Sequence, residues 1–501
     1  MTVHLPDTSE LTNLAVKCGF DLTPAELDDI RELMKPRIKH LQNLDTLPDN
    51  LPEVRYPRDA GFRPPSSDNP HNAWCRKVVV KGATTGKLKG KRIALKDNIM
   101  LANVPMLHGS NLLEGYVPEI DATIVTRILD AGGDILGKAE TECLSHGGGT
   151  TSTHGEVVNP RKPGYATGGS SSGCAALVAG GDVDIAIGGD QGGSIRAPAS
   201  FCGVYGMKPT FGLVPFTGIM QYEPTLDHIG PMSSTVRDNA LILDVIAGSD
   251  GIDMRQENRD HEDYLCALDE GVKGMKIGIV KEGFGTTGSD PDVDAVVREA
   301  IKVLEKLGAV TCDVSIPTHE HCGAIWGGIG PEAFAVDMIV NKGATTGLKN
   351  LYVPSLLSHL ADWPKRANTL NVGVKVDMLL GIYLRENHAG KLYGKAQNLR
   401  RKVREDYENS LAECDLLVMP TVPRKPPPYP SNAISSEAVR AKSGSSNTWA
   451  ANLTGHPAMS VPCGTHDGFP IGFMLVAKDY KEATIYKAAN AFEQEQVWHK
   501  S

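Results

Sequence analysis

The sequence predicts an α/β chain: a mostly parallel or mixed sheet covered by helices on both faces, entered through an N-terminal helical arm. Three observations predict it. From Val78 onward, short apolar runs alternate with runs of helical spacing, the pattern of strands joined by covering helices. The first 75 residues carry only helical periodicity and then a proline-rich stretch. Of 501 residues, 53 are glycine, many of them clustered beside the strand-like runs, where loops need tight turns or close backbone approach.

The arm comes first. Leu11–Val16 and Pro24–Leu41 space their apolar residues helically, with Thr23 placed to cap the second helix ahead of Pro24. Pro36 predicts a kink or break, because proline lacks the N–H that a helix interior needs. Leu47 to Pro70 reads as an extended linker or wrapping arm. The chain therefore divides into residues 1–75 and 76–501. In the second part the expected strands are Arg92–Ile99, Asp134–Gly137, Val183–Ile187, Met275–Val280, Val310–Ile316 and Asp415–Met419. Helices are expected over Asp121–Ala131, ended by Gly132-Gly133, and over Pro291–Leu307. The latter puts Val293, Val296, Val297, Ala300, Ile301, Leu304 and Leu307 on one face and stops at Gly308. Lys-Gly-Ala-Thr-Thr-Gly occurs at Lys81–Gly86 and Lys342–Gly347 in unrelated surroundings, which indicates two similar turns and no repeat.

Composition excludes several roles. The 51 basic and 60 acidic residues leave a net charge of −9, so no basic field exists to attract nucleic acid or an anionic membrane. No apolar run is long enough to span a bilayer. The start of the chain lacks the basic and apolar pattern of a secretory signal. The ten cysteines form no Cys-x-x-Cys pair, which argues against structural zinc and a disulfide framework and for a reducing, cytoplasmic setting. The sequon Asn452-Leu453-Thr454 then carries no meaning as a glycosylation site.

Three segments carry the chemistry. In Ile93-Ala94-Leu95-Lys96-Asp97-Asn98, alternation puts Lys96 on the face opposite Leu95 and Asp97. Taken alone, it reads as an edge lysine whose stem packs while its ammonium reaches water. Gly168-Gly169-Ser170-Ser171-Ser172-Gly173 precedes the small, apolar run Cys174–Ala179. It reads either as a serine-capped helix start or as a turn presenting a hydroxyl inward. Gly188-Gly189-Asp190-Gln191-Gly192-Gly193-Ser194-Ile195-Arg196 leaves a strand through glycines and enters a short helix. Its backbone N–H groups, Gln191 through Ser194, can converge on an oxyanion or on a phosphate-type anion. It is not a Gly-x-Ser-x-Gly elbow, because position 196 is arginine.

Together these segments resemble the amidase signature family. The resemblance rests on Lys96-Asp97-Asn98, on Gly168 to Gly173, and on Asp190-Gln191-Gly192-Gly193-Ser194-Ile195-Arg196. Pro198 to Gly203, Lys208-Pro209-Thr210, Leu226 to Pro231 and Gly455-His456-Pro457 extend it. It runs from about Val78 to Phe492. Within the family the chain is most similar to stand-alone bacterial amidases found with nitrile-degrading pathways. Those also carry a helical N-terminal region and Gln at the position of Gln191, where many relatives have Thr. The resemblance implies the family's large mixed sheet, a catalytic domain over 76–501, and a Ser–Ser–Lys triad. Ser194 is then the nucleophile, Ser170 the bridging serine after a cis peptide bond, and Lys96 the base. Gln191, Gly192 and Gly193 supply the oxyanion hole, with no metal and no cofactor, and the assembly is a homodimer.

The implied reaction is hydrolysis of small carboxylic amides; carbamate or ester hydrolysis by the same triad is the alternative. An amidotransferase subunit is a further option, which the N-terminal arm and Gln191 disfavour. A serine hydroxyl needs a proton acceptor within reach, and lysine serves only when burial makes it neutral. The substrate pocket is expected from Leu144–Thr153, Met220–Leu226, Trp326–Leu384 and Pro420–Ser436. Gly283 to Gly288 matches a dinucleotide fingerprint, but the following helix starts too late, near Pro291, to hold a pyrophosphate. Asp290, Asp292 and Asp294 read as helix N-terminal acids, and His319, His321 and Cys322 as polar loop residues. Adjacent Asp227 and His228 are poorly placed to face each other as triad members.

Overall fold

The computed structural model describes residues 3–147, 152–259, 262–341, 346–429 and 447–495. The chain falls into two units, Met1–Glu53 and Val54–Ser501. The first unit holds helices α1 (Thr8–Cys18) and α2 (Pro24–Asp45). Each starts with a reciprocal capping box, Asp7 with Glu10 and Thr23 with Glu26. Contrary to expectation, α2 runs through Pro36 without a break. Proline costs one backbone bond there, and the helix formers on both sides keep the remaining ladder.

In the second unit, residues 54–70 precede the sheet without a long element. Arg58 pins them by a buried ion pair to Asp121, with side chains 1% and 3% exposed, and Tyr56 donates to Asp130 at 2.7 Å. One mixed sheet of eleven strands then organises the fold: β1 Trp74–Val80, β2 Arg92–Lys96, β3 Asp134–Ala139, β4 Ile185–Asp190, β5 Tyr205–Lys208, β6 His228–Ser233, β7 Lys276–Val280, β8 Val310–Val314, β9 Leu416–Pro420, β10 Ala458–His466 and β11 Phe469–Val476. Their order is β1-β3-β2-β4-β6-β5-β10-β11-β9-β7-β8. β2 runs parallel to both β3 and β4, while β6 runs antiparallel to β4. Helices cover both faces, as the alternation predicts. Among them α3 (Thr123–Asp130) buries Ile124, Val125, Ile128 and Leu129. The helix Pro291–Lys306 buries Val293, Val297, Ala300, Ile301 and Leu304. No described helix is long and apolar enough to cross a membrane.

The strand register decides where the site lies. Ala94 pairs with Ala186 and Leu95 with Ile187, so Lys96 and the residues beyond Gly188 leave neighbouring parallel strands at the same edge. Ligands of such sheets gather at the carboxyl ends of parallel strands.

Candidate active site

Lys96 ends β2 with no exposed surface. Its Nζ donates to Ser170 Oγ at 2.7 Å and to the Gly189 carbonyl at 3.4 Å. Among the described residues no carboxylate forms an ion pair with it. The acid next to it in sequence, Asp97, faces the other way and pairs at 2.9 Å with Lys138, both fully buried. Asp97 also accepts the N–H groups of Leu107 and His108 at 2.8 Å. Burial therefore pulls the Lys96 pKa down from 10.5 to about 8, against the opposing charges of Glu142, Asp190 and Asp227. The edge-lysine reading does not hold, because the head group as well as the stem is sealed.

The Gly169–Ser170 peptide bond is cis. Ser170 is fully buried, and its carbonyl accepts Thr141 Oγ1 at 2.8 Å and Glu142 N–H at 3.2 Å. Helix α4 (Ser172–Ala179) follows, but no serine side chain caps it. Ser171 Oγ turns to β4 instead, donating to the Gly189 carbonyl at 3.0 Å and accepting the Gly189 N–H at 3.2 Å. Ser171 N–H donates to the Ser194 carbonyl at 3.2 Å. The two serine segments are thereby stitched side by side over the end of β4, with Lys96 behind them.

Ser194 stands between β4 and α5 (Arg196–Cys202) and is 8% exposed. Asp190 organises its turn. Its carboxylate accepts Gly193 N–H at 2.7 Å, Ile195 N–H at 3.1 Å, and the Arg196 guanidinium at 3.0 and 3.1 Å. Asn452, on α6 (Trp449–Thr454), donates to Asp190 Oδ1 at 2.9 Å and accepts from Arg196 at 2.7 Å. Burial pushes the Asp190 pKa up, but Arg196 and these donors hold it well below the ordinary carboxylate range. One sequence expectation changes here. The Gly193 N–H, placed among the oxyanion donors, is spent on Asp190. Gly193 adopts φ +126°, and a β-carbon there would collide with Thr448.

An aromatic wall stands beside the turn. Trp326 donates from Nε1 to the Gln191 carbonyl at 2.8 Å. Its ring stacks on Tyr222 at 6.4 Å and on Trp449 at 6.5 Å, and Tyr222 stacks on Phe334 at 5.5 Å. His146 meets the Phe334 edge at 4.1 Å. A β-carbon on half-exposed Gly192 would press on Trp326 and Trp449 at 3.1 and 3.2 Å, so the wall reaches the turn that leads into Ser194. Tyr222, Trp326 and His146 come from the predicted pocket segments. Residues 148–151, 342–345 and 430–436 of those segments, with most of the second hexapeptide, lie outside the described residues.

Several groups fall elsewhere. Asp227 bonds Gln191 and not the His228 ring, whose Nδ1 meets the Leu226 carbonyl at 2.7 Å. His319 is buried between Tyr407 Oη and Asn447. Asp290 caps its helix by accepting Asp292 N–H. Among the described residues one cluster, Cys75, Glu140 and His154, has metal-like spacing. The Arg63 guanidinium lies 3.0 Å from His154 and 3.4 Å from Glu140, a cation beside two of the cluster's three donors. Sequence reading missed Asn452, seen there only as a sequon, and Lys138, whose signal was a second lysine in an apolar strand.

The family model described as Amidase matches residues 72–486. The chain belongs to the amidase family. An enantioselective amidase from Rhodococcus rhodochrous is 38% identical to this amidase over 97% of this chain and 95% of its own length. A glutamyl-tRNA(Gln) amidotransferase subunit from Methanosarcina mazei is 38% identical over 84% of this chain and 88% of its own. The crystal structure of the glutamyl-tRNA(Gln) amidotransferase subunit of the same name from Thermotoga maritima superposes with a TM-score of 0.72 at 30% identity, covering 85% of this chain and 88% of that one. The amidase signature fold and an amidase-family enzyme follow.

Proposed function

We propose that this amidase hydrolyses small carboxylic amides to acid and ammonia through Lys96, Ser170 and Ser194, with an acyl-enzyme on Ser194. The observation that carries the reading is the buried Lys96, unpaired with any described carboxylate and 2.7 Å from Ser170 Oγ. Neutral Lys96 takes the Ser170 proton as Ser170 takes that of Ser194, which attacks the carbonyl carbon. The N–H groups of Gln191, Gly192 and Ser194 face the developing oxyanion, while Gly193 supports the turn. Collapse of the tetrahedral intermediate returns the proton to the leaving nitrogen, and water then attacks the acyl-enzyme by the same path. The stacked wall of Tyr222, Trp326 and Trp449 favours flat, apolar acyl groups.

A second reading, an ammonia-transferring amidotransferase subunit, draws on the likeness to the Methanosarcina and Thermotoga proteins. The longer match to the enantioselective amidase, 97% of this chain against 84%, favours the hydrolase. Ten free thiols support a reducing, cytoplasmic setting, and a homodimer is the assembly proposed, to be tested by light scattering.

The experiment is ammonia release by the chain alone from aliphatic, aromatic and carbamate substrates, with Ser194→Ala and Lys96→Ala as controls. Turnover by wild type and less than about 1% of it in either variant supports the triad. Activity only with added partner subunits favours the second reading, and full activity in Ser194→Ala removes the nucleophile assignment.

A further inference from the structure

One buried carboxylate outside the proton relay ties the nucleophile's turn to the aromatic wall. Asp227, 1% exposed, accepts Gln191 Nε2 on Oδ1 at 3.0 Å. It also accepts Tyr222 N–H on both oxygens, at 3.2 and 3.1 Å, and Glu223 N–H on Oδ2 at 3.2 Å. Gln191 opens the turn that ends in Ser194, and its carbonyl already holds Trp326. The same residue therefore grips one ring of the wall through its main chain and the backbone of another through its side chain and Asp227. The carboxamide oxygen of Gln191 is buried and has no hydrogen-bond partner among the described residues.

We propose that Asp227 is a positioning residue that locks the oxyanion turn to the Tyr222–Trp326 wall and so sets selectivity for amides whose acyl part carries a flat ring. This rests on the amide-hydrolase reading above. Two neighbouring loops tune the group. Burial raises the Asp227 pKa to about 7, with Glu223 adding to the rise and Arg255 opposing it. Arg255 also donates to the Asp227 carbonyl at 3.2 Å, and Glu223 is itself held by Thr225 and Tyr393. On the sheet side Lys96 feels the Asp227 charge, which favours its protonated form. An ionised Asp227 thus holds the wall in place while making the base slightly harder to free.

The test compares wild type, Asp227→Ala and Asp227→Asn for kcat and KM with benzamide and propionamide across pH 6 to 10, with circular dichroism to report folding. Asp227→Ala should lower kcat/KM for benzamide about tenfold more than for propionamide, the size of one lost buried hydrogen bond. Asp227→Asn should restore most of that ratio, because its oxygen can accept Tyr222 N–H and its amide can donate to the Gln191 oxygen. Its alkaline rise in rate should also move to lower pH, since the charge that holds the Lys96 proton is gone. Equal losses on both substrates in Asp227→Ala, or an Asp227→Asn pH profile superposed on wild type, overturns the proposal. If Asp227→Ala fails to fold, Asp227→Ser makes the same comparison of benzamide with propionamide. Wild type that releases ammonia from neither amide overturns the hydrolase reading instead. In that case acrylamide quenching of tryptophan emission still decides the coupling. Asp227→Ala should increase quenching, and should not do so in a Trp326→Phe background. Unchanged quenching overturns it.

Discussion

Replacing Lys96 by Met removes the charge and keeps most of the volume, which makes the cost of the buried amine measurable. The fall of the Lys96 pKa from 10.5 to about 8 corresponds to about 3 kcal/mol. The sign follows from proton counting. Below pH 8 the lysine is protonated in both folded and unfolded chains, and the folded state bears the whole burial cost. Between pH 8 and 10.5 the unfolded chain still holds the proton and the folded chain has released it, so stability rises with pH. Methionine bears no such cost, although its substitution gives up the bonds to Ser170 and Gly189. Urea unfolding of both proteins at pH 7, 9 and 10.5 cancels the other titrating groups in the difference. Wild type should gain about 3 kcal/mol on the Met variant over that range. Amide turnover should be lost in the variant, and the wild-type rate should climb through a pH near 8. A stability difference constant to within about 1 kcal/mol, or a wild-type rate already at its plateau at pH 5, refutes the neutral-lysine base.

Asp190→Ala leaves the Arg196 guanidinium buried without its partner, and thermal unfolding should report a loss of about 3–5 kcal/mol. Gly193→Ala puts a β-carbon against Thr448 at a positive φ, so amide turnover should drop at least tenfold. Trp326→Phe keeps the stacked ring but removes the bond to the Gln191 carbonyl; steady-state assays should show a lower kcat with an aromatic amide. Hydroxylamine added to the assay should divert an acyl-enzyme to the hydroxamate, and its absence from the products argues against covalent catalysis.

The segments at the carboxyl ends of β2 and β4 stood out because their motifs are short and local, but only the resemblance of those motifs to a family gave them a role. Read alone, Lys96 suggested an edge lysine and the serines a helix cap, and the structure upholds neither. The helices with one apolar face were readable from local spacing. Other parts depend on partners far away in the chain. Asn452 acquires its meaning only against Asp190 and Arg196, some 250 residues earlier. The aromatic wall assembles Tyr222, Trp326 and Trp449 from three segments, none of which carries a motif. The β10–β11 hairpin was in reach and overlooked: Asp467-Gly468 takes positive φ at both positions between His466 and Phe469, the Asp-Gly turn that joins adjacent strands. Pro36 shows the reverse error, where a strong local signal was outvoted by the helix around it.

Lys96 and Lys138 stand on adjacent strands, equally deep, and differ chiefly in which of them Asp97 addresses. In the proposed relay, reactivity is thus a matter of aim. An acidic side chain introduced within reach of the β2 amine would give it a permanent counter-ion and take away its role as base. A lysine kept in the chain would then be no guarantee that it still works.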